Sequence, residues 1–276
     1  MTRFRRAARA FSILLAVLLG SYLLVAYILL PEGWRHYEHH PSLAAFPKVT
    51  TNADGISGDP LKVGLIGTRA EVMAAFSAAG WRQAARLGLR SDLEIAESVV
   101  MDRPDPTAPV SNLYLWSRPE DLAFEKPVGE SARERQHVRF WRADEAGREG
   151  RPLWTGAASF DRSVGFSRLT GQITHHIAPD LDAERDRLMA ALAAAGQLQT
   201  TYQVTGVGPT LNGRNAEGDR YFTDGEVTIG VLVKDNIPSS QPVVTLPNPT
   251  AVTLKNKFWS WLRPLLNSIA DPSQSP

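Results

Sequence analysis

The pattern of hydrophobic and polar positions first marks an apolar run near the N-terminus. Residues 11–30, FSILLAVLLGSYLLVAYILL, are 20 residues without a charge. As a helix they span roughly 30 Å, the thickness of the hydrocarbon core of a bilayer. The run is longer than the apolar core of a signal peptide, and its exit, YILLPEG, has no small-x-small cleavage site. Residues 1–30 are therefore predicted to be a basic N-terminus and a retained transmembrane helix, with a cleaved signal peptide as the alternative.

Proline and glycine divide the rest of the chain into three further segments. Residues 31–58 are interrupted repeatedly by these two residues, which predicts a juxtamembrane tether. Residues 59–235 alternate apolar stretches with turn signals, as a compact domain does. Residues 236–276 begin with four prolines between 237 and 250, which predicts an extended linker, and end in an amphipathic helix.

The elements expected within residues 59–235 indicate an α+β fold. A β-prone stretch at 61–68 precedes a helix, for which Thr68 and Glu71 suit a capping box and Gly80 an end. Further helices are expected at 91–101 and 181–195. Further strands are expected at 113–116, 122–125, 137–142, 153–160, 171–178, 201–204 and 226–233. We therefore predict a two-layer sandwich of mostly antiparallel sheet, covered by two or three helices.

Two helical segments of this domain also resemble each other. AEVMAAFSAAGW at 70–81 and DRLMAALAAAGQ at 186–197 match in part. A duplicated strand–helix–strand unit would explain the match, and so would a shared alanine-rich composition.

The C-terminal segment LKNKFWSWLRPLLNSIA has one apolar face at helical spacing. That face comprises Phe258, Trp261, Leu262, Leu265 and Ile269. Cationic residues flank it, namely Lys255, Lys257 and Arg263. Such a helix suits a lipid interface or a partner protein, and packing on its own domain is the alternative. Pro264 is expected to kink the helix or to start a second short one.

Composition and charge narrow the classes of function. The 30 Lys and Arg residues nearly balance the 29 Asp and Glu residues, which argues against binding of nucleic acid through bulk positive charge. The absence of cysteine excludes disulfides, thiolate metal sites and cysteine nucleophiles. Four arginines lie in the first nine residues, so the positive-inside rule predicts a cytoplasmic N-terminus. In a bacterium, the remaining domain would then be periplasmic, anchored to the inner membrane.

The segment THHIAPDLDAERD carries the most candidate chemistry, with His175, His176, Asp180 and Asp182 as acid–base groups or metal ligands. Because successive side chains of a strand point to opposite faces, the two histidines are expected on different sides. His176 is the favoured candidate, since its face is polar. For Asp180 the alternative is a helix N-cap, with Asp182 favouring the helix dipole.

His137 and Arg139 form a second candidate site, on one face of the strand HVRFWR. An exposed, solvated sheet face is one expected arrangement. The other is convergence of these residues with Asp161 and His176 on one sheet surface.

A Gly-rich segment, GVGPTLNGRNAEGDRYFTDGE, carries Asp219 and Asp224, and it suits either a ligand site or a turn-rich connection. His36, His39 and His40 surround Glu38 beside the membrane, where they could chelate a metal but have no rigid frame. The motifs GxSxG, HExxH and GxGxxG are absent from the sequence. The sequence therefore assigns no catalytic residue, no metal and no cofactor.

Five contiguous stretches together resemble one bacterial family. They are DLAFEKPVG (121–129), HVRFWR (137–142), FDRSVGFS (160–167), TGQITHHIAPDLDAERD (170–186) and GDRYFTDGE (218–226). The chain is similar in these stretches to the LssY-like C-terminal domain family, described as a component of type I secretion. The resemblance implies a role in secretion but supplies no catalytic residues. Family members often carry several membrane spans and a lipid-phosphatase module, whose signature this chain lacks.

Two hypotheses of function follow. In the first, the chain is a membrane-anchored envelope protein with a non-enzymatic accessory or binding domain. Its partners would then be the bilayer and a membrane or envelope protein complex, without nucleic acid. In the second, the same domain is a hydrolase, with or without a metal ion, that uses His176 with His137 and Asp161 or Asp180.

Overall fold

The computed structural model describes residues 2–30, 46–84, 113–129, 134–147, 150–167, 171 and 173–270. The described residues form four α-helices: α1 (Thr2–Leu24), α2 (Arg69–Ala78), α3 (Leu181–Ala194) and α4 (Thr250–Ala270). The strands are β1 (Val49–Thr51), β2 (Ser57–Pro60), β3 (Val63–Ile66), β4 (Arg82–Gln83), β5 (Tyr114–Leu115), β6 (Arg118–Pro119), β7 (Leu122–Pro127), β8 (Arg135–Ala146), β9 (Pro152–Phe166), β10 (Ile173–Ile177), β11 (Leu198–Thr205), β12 (Thr210–Arg214), β13 (Arg220–Thr223), β14 (Glu226–Leu232) and β15 (Val244–Thr245). The fold is α+β, as predicted. The helix expected at 91–101 lies outside the described residues.

The N-terminal helix α1 continues through a π-helical turn, Val25–Leu29. The stretch Arg5–Leu29 is long and apolar enough to cross a membrane, and none of it is buried against the rest of the protein. A membrane anchor has these properties, and so does an N-terminal signal sequence.

A large sheet forms the centre of the domain, in the order β15-β11-β14-β3-β9-β8-β7-β4. Its pairs are antiparallel except for β14 with β3 and β11 with β15. The long strand β9 also pairs with β10, since Asp161 lies opposite Arg135 of β8 on one side and Ile177 of β10 on the other. The predominance of antiparallel pairs agrees with the sequence prediction.

Helices α2 and α3 cover one face of this sheet. Thr68 and Glu71 form the predicted capping box at the start of α2, and Asp180 caps α3 through the backbone nitrogen of Ala183. The main core lies between these helices and the sheet. Its largest members include Val72, Phe76, Phe124, Phe140, Trp154, Leu188 and Leu192.

A smaller sheet, in the order β2-β1-β5-β6, is a separate element of the domain. Leu115 of β5 and the preceding Leu113 pack with Leu61, and also with Trp141 of β8 and Ala157 of β9. Trp141 and Ala157 belong to the face of the large sheet that points away from the helices, because their neighbours Phe140 and Ala158 pack in the main core. The large sheet is therefore covered on both faces in this region.

Three segments carry more structure than the sequence predicted. The segment predicted as a tether, residues 31–58, contains β1 and the start of β2. The Gly-rich segment contains a hairpin, in which Arg214 lies opposite Arg220. The proline-rich linker contains β15, which pairs with β11. Pro264 lies inside α4 without ending it, so of the two expected outcomes, a kink or a second short helix, the second helix is not formed. Proline inside a helix removes one backbone hydrogen bond and crowds the carbonyl four residues earlier, so the contacts of α4 with the domain must offset this cost.

Candidate functional site

A row of polar side chains lies on the face of the large sheet opposite the helices. Strands β7, β8 and β9 supply it, with Glu125 opposite His137 and His137 opposite Ser159 in the register. The row arises from strand alternation: Val138 and Phe140 of β8 point into the main core, so His137 and Arg139 point the other way. The shared face of these two residues is the one that the sequence predicted.

The ionisable groups of this row contact one another. Oδ2 of Asp161 lies 2.9 Å from Nδ1 of His137 and 3.3 Å from Nε of Arg135. Nη1 of Arg135 lies 3.2 Å from Oε2 of Glu125. Nη1 of Arg139 lies 3.1 Å from Nε2 of His137. We call these five residues, Glu125, Arg135, His137, Arg139 and Asp161, the sheet cluster.

The sheet cluster is buried, so the expectation of an exposed, solvated sheet face is wrong. The cause is the covering of this face by distant parts of the chain, which local alternation does not reveal. Burial alone would raise the pKa of Asp161, but the neighbouring histidines and Arg135 lower it to about 2. Burial raises the pKa of Glu125, and Arg135 offsets that only in part.

His175, and not His176, contacts the sheet cluster. Nε2 of His175 lies 3.1 Å from Nη2 of Arg135. Burial, together with repulsion from that guanidinium, lowers the pKa of His175 to about 4. Nδ1 of His176 instead lies 2.8 Å from Oδ1 of Asp219, whose other oxygen accepts from the backbone nitrogen of Ile177. The expected convergence with His176 is therefore wrong, because adjacent residues of a strand face opposite sides.

A cavity of about 50 Å³ opens against the sheet cluster, next to the turn between β12 and β13. Its polar lining combines hydrogen-bond donors with carboxylates and includes Asp59, His137, Arg139, Asp161, His175, Asn215 and Glu217. A volume of this size holds a few water-sized groups. The arrangement can therefore bind one small polar group by several hydrogen bonds.

A chain of hydrogen-bond contacts joins Ser159 to His137 and His137 to Asp161, in the order of a hydrolase triad. Oγ of Ser159 lies 3.1 Å from Nε2 of His137, whose Nδ1 lies 2.9 Å from the carboxylate of Asp161. Ser159 is fully buried, however, and is not among the residues that line the cavity. Since a nucleophile must reach its substrate, the position of Ser159 is that of a hydrogen-bonding partner in the interior.

Asp182 and Asp224 belong to a second buried cluster, at the start of α3. Oδ2 of Asp182 accepts from the backbone nitrogen of Asp224 at 2.7 Å and from Nε1 of Trp259 at 2.9 Å. The guanidinium of Arg185 holds both carboxylate oxygens of Asp224, at 2.7 and 2.9 Å. Burial raises the pKa of Asp182, whereas the pKa of Asp224 is lowered by Arg185 despite its burial. Both carboxylates are therefore paired within the protein and are not free to bind a ligand.

Asp180 has a structural role as well. Besides capping α3, its Oδ2 accepts from Nε of Arg263 at 2.7 Å and from Nδ2 of Asn267 at 2.9 Å. The sequence had not indicated Lys62, which is fully buried beside this cluster and donates to the backbone oxygen of Leu181. Burial lowers the pKa of Lys62 to about 8, although Asp182 opposes this.

The candidate residues thus fall into three separate groups. His137, Arg139, Asp161 and His175 share the cavity; His176 pairs with Asp219; Asp180 and Asp224 hold α3 and its neighbours. Within the described part of the chain, no three His, Asp or Glu side chains are grouped so as to hold a metal ion. His36, His39 and His40 lie outside that part.

Comparison with known families places the cavity within a shared domain. The family described as LssY C-terminus matches residues 43–227, about two thirds of the chain. That range contains β7 to β10 and the hairpin β12–β13, and it ends before α4. Neither the curated proteins nor the solved structures give a match. On the strength of the family match, the chain belongs to the LssY C-terminus family.

Proposed function

We propose that this protein is a membrane-anchored component of the bacterial cell envelope whose domain binds a partner or ligand and catalyses no reaction of its own. Four arginines precede the apolar helix, and residues 1–30 contain no Asp or Glu. Under the positive-inside rule the arginines stay in the cytoplasm. The proposal thus has α1 in the inner membrane and the domain in the periplasm.

The observation that carries the binding function is the cavity against the sheet cluster. Two titratable side chains that line the cavity have pKa values far from 7, about 4 for His175 and about 2 for Asp161. Both therefore stay deprotonated at pH 7. A general acid or base works best with a pKa near the operating pH. Fixed donors and acceptors around a small cavity instead suit the recognition of a polar group.

The expected partner is a component of an envelope protein complex. This part of the proposal depends on the resemblance to a family described as a component of type I secretion. The polar group that enters the cavity would then be a side chain of that partner or a small molecule presented by it.

Plugging the cavity tests the binding function. Glu217, in the turn between β12 and β13, lines the cavity and is half-buried, so Glu217→Phe can fill its entrance without removing a member of the sheet cluster. The control is Thr200→Phe, at a half-buried position of β11 that does not line the cavity. Both full-length variants and the wild type are purified in native-membrane nanodiscs, and co-purifying proteins and small molecules are identified by mass spectrometry. We expect a component that is retained by the wild type and the control and lost from Glu217→Phe.

A hydrolase is the second candidate, because Ser159, His137 and Asp161 are aligned as in a triad; it requires that the buried Ser159 become accessible to a substrate. The same three purified proteins are assayed on carboxyl and phosphate esters, with Ser159→Ala added. Turnover that is lost in a folded Ser159→Ala protein would contradict the binding-only proposal. Identical co-purification from all the variants would contradict the role of the cavity.

A further inference from the structure

Helix α4 is attached to the domain by its polar side. Lys255 contacts a carboxylate of β14, while Trp259 and Arg263 contact carboxylates at the start of α3, at 2.9 and 2.7 Å. Asn267 adds a further hydrogen bond at 2.9 Å. These four residues recur every fourth position, so they lie along one side of the helix and fix its rotation about its own axis.

The opposite side of α4 is apolar and uncovered in the described structure. Five large side chains along it are each more than half exposed: Leu254, Phe258, Trp261, Leu265 and Ile269. A contiguous apolar patch of this kind marks a site of contact with a protein or a membrane. The packing of α4 on its own domain, expected as the alternative, does occur, but through the polar side.

We propose that the apolar side of α4 lies in the headgroup region of the bilayer that α1 spans, so that the domain rests on the membrane surface. The inference rests on the proposed retention of α1 as an anchor. Tryptophan and phenylalanine prefer this region of the bilayer, and a helix with one apolar side lies flat in it. The polar side, which such a helix normally presents to water, here faces the domain.

The charge of α4 is compatible with a membrane surface. Residues 250–270 contain no acidic residue, and of their three cations Lys255 and Arg263 are paired with carboxylates of the domain. Lys257 is exposed beside the apolar side, where anionic lipid headgroups attract a cation. The bilayer stays within reach of the domain, because residues 31–48 extend no further than about 65 Å even when fully stretched. A surface held so close acts at a high effective concentration.

Single-cysteine labelling tests the proposal, since the chain has no cysteine of its own. Phe258→Cys places a nitroxide on the apolar side, and Ser260→Cys, also exposed, places one on a different side of the same helix. Leu18→Cys places a third in α1. Each full-length protein is reconstituted in vesicles of phosphatidylethanolamine and phosphatidylglycerol, and collisions of the nitroxide with oxygen and with a water-soluble nickel chelate are measured by electron paramagnetic resonance.

We expect the ratio of oxygen to nickel collisions at position 258 to exceed that at position 260 several-fold, and to approach the ratio at position 18. Leu254→Cys repeats the measurement on the same side, should the change at Phe258 disturb the fold. An equal, nickel-accessible environment at 258 and 260 overturns the inference, and so does dipolar coupling between labels at 258, which identifies a second copy as the occupant. Lipid exposure at position 18 in either case leaves the anchor intact, whereas an aqueous label at position 18 refutes the anchor itself.

Discussion

Protonation of His175 is expected to destabilise the domain, and the sign follows from its surroundings. Burial, with repulsion from Arg135, lowers the pKa of His175 from 6.5 to about 4. The unfolded chain therefore binds this proton at a higher pH than the folded chain does. The contribution of His175 to the free energy of unfolding is therefore fully present above about pH 6.5 and is lost as the pH falls toward 4.

The magnitude follows from the size of the lowering. At about 1.4 kcal/mol for each tenfold change in proton affinity, the full effect is about 3 kcal/mol. Because His175 is half-buried and partly screened by water, we expect about 2 kcal/mol. Other buried groups, such as Glu184, whose pKa is raised to about 7 by burial, titrate over the same range. A comparison with His175→Gln cancels their contribution.

The assay is urea unfolding of the full-length protein in detergent, followed by tryptophan fluorescence at neutral and acidic pH. Between the two pH values, the free energy of unfolding of the wild type should fall by about 2 kcal/mol more than that of His175→Gln. The ring proton of His175 is followed in parallel by NMR, its signal among the six histidines being assigned with the variant. Titration of that signal near its ordinary pKa, or equal losses of stability in both proteins, would refute the buried placement of the ring.

Three further predictions concern the free energy of unfolding, measured by thermal unfolding. Asp161→Asn should lower it by about 3 kcal/mol, because the substitution leaves buried cations without their carboxylate. The control is Asp54→Asn on an exposed turn, and a Tm equal to that of the control would contradict the sheet cluster. Gly225→Ala should lower it by more than about 2 kcal/mol, since φ is +80° and a Cβ would lie 2.0 Å from a backbone atom. Gly55→Ala, at a φ of +77° in open space, should lower it by only about 1 kcal/mol. Trp259→Ala should lower it by about 3–5 kcal/mol and make α4 accessible to proteases. An unchanged rate of cleavage would show that other contacts hold α4.

Much of the fold could be predicted because local rules decide it. Thr68 and Glu71 satisfy orphan N–H groups at the start of α2, and Asp180 does the same for α3. The strands containing His137 and Asp161 follow from runs bounded by turn signals. The hairpin β12–β13 was missed because its glycines weaken the strand pattern, although they permit close approach, as at Gly213 against Tyr221.

The candidate site was harder to predict than the fold. Alternation placed His137 and Arg139 on one face, but the burial of that face depends on residues far away in sequence, among them Asp59 and Asn215. Which histidine of the pair His175 and His176 faces the cavity depends on the register of β10, which shifts beside His176. A single sequence carries no signal for that bulge.

The contacts of α4 with its domain have a signal of their own in the sequence. The spacing of large apolar residues identifies the apolar side, whereas the side that packs on the domain is the polar one. A second signal was present: Lys255, Trp259, Arg263 and Asn267 recur every four residues and can all donate hydrogen bonds. Their buried acceptors, however, lie on α3 and β14, so only the tertiary structure identifies them.

The place of α4 at the far end of the domain sets an order of events during synthesis. Trp259 follows its acceptor Asp182 by 77 residues, and Arg263 follows Asp180 by 83. In a nascent chain whose residues 250–270 are not yet synthesised, these carboxylates therefore lack the hydrogen-bond donors of α4. The domain reaches its full stability only after α4 is translated. A chain that stalls earlier is less stable and is more readily degraded by quality-control proteases.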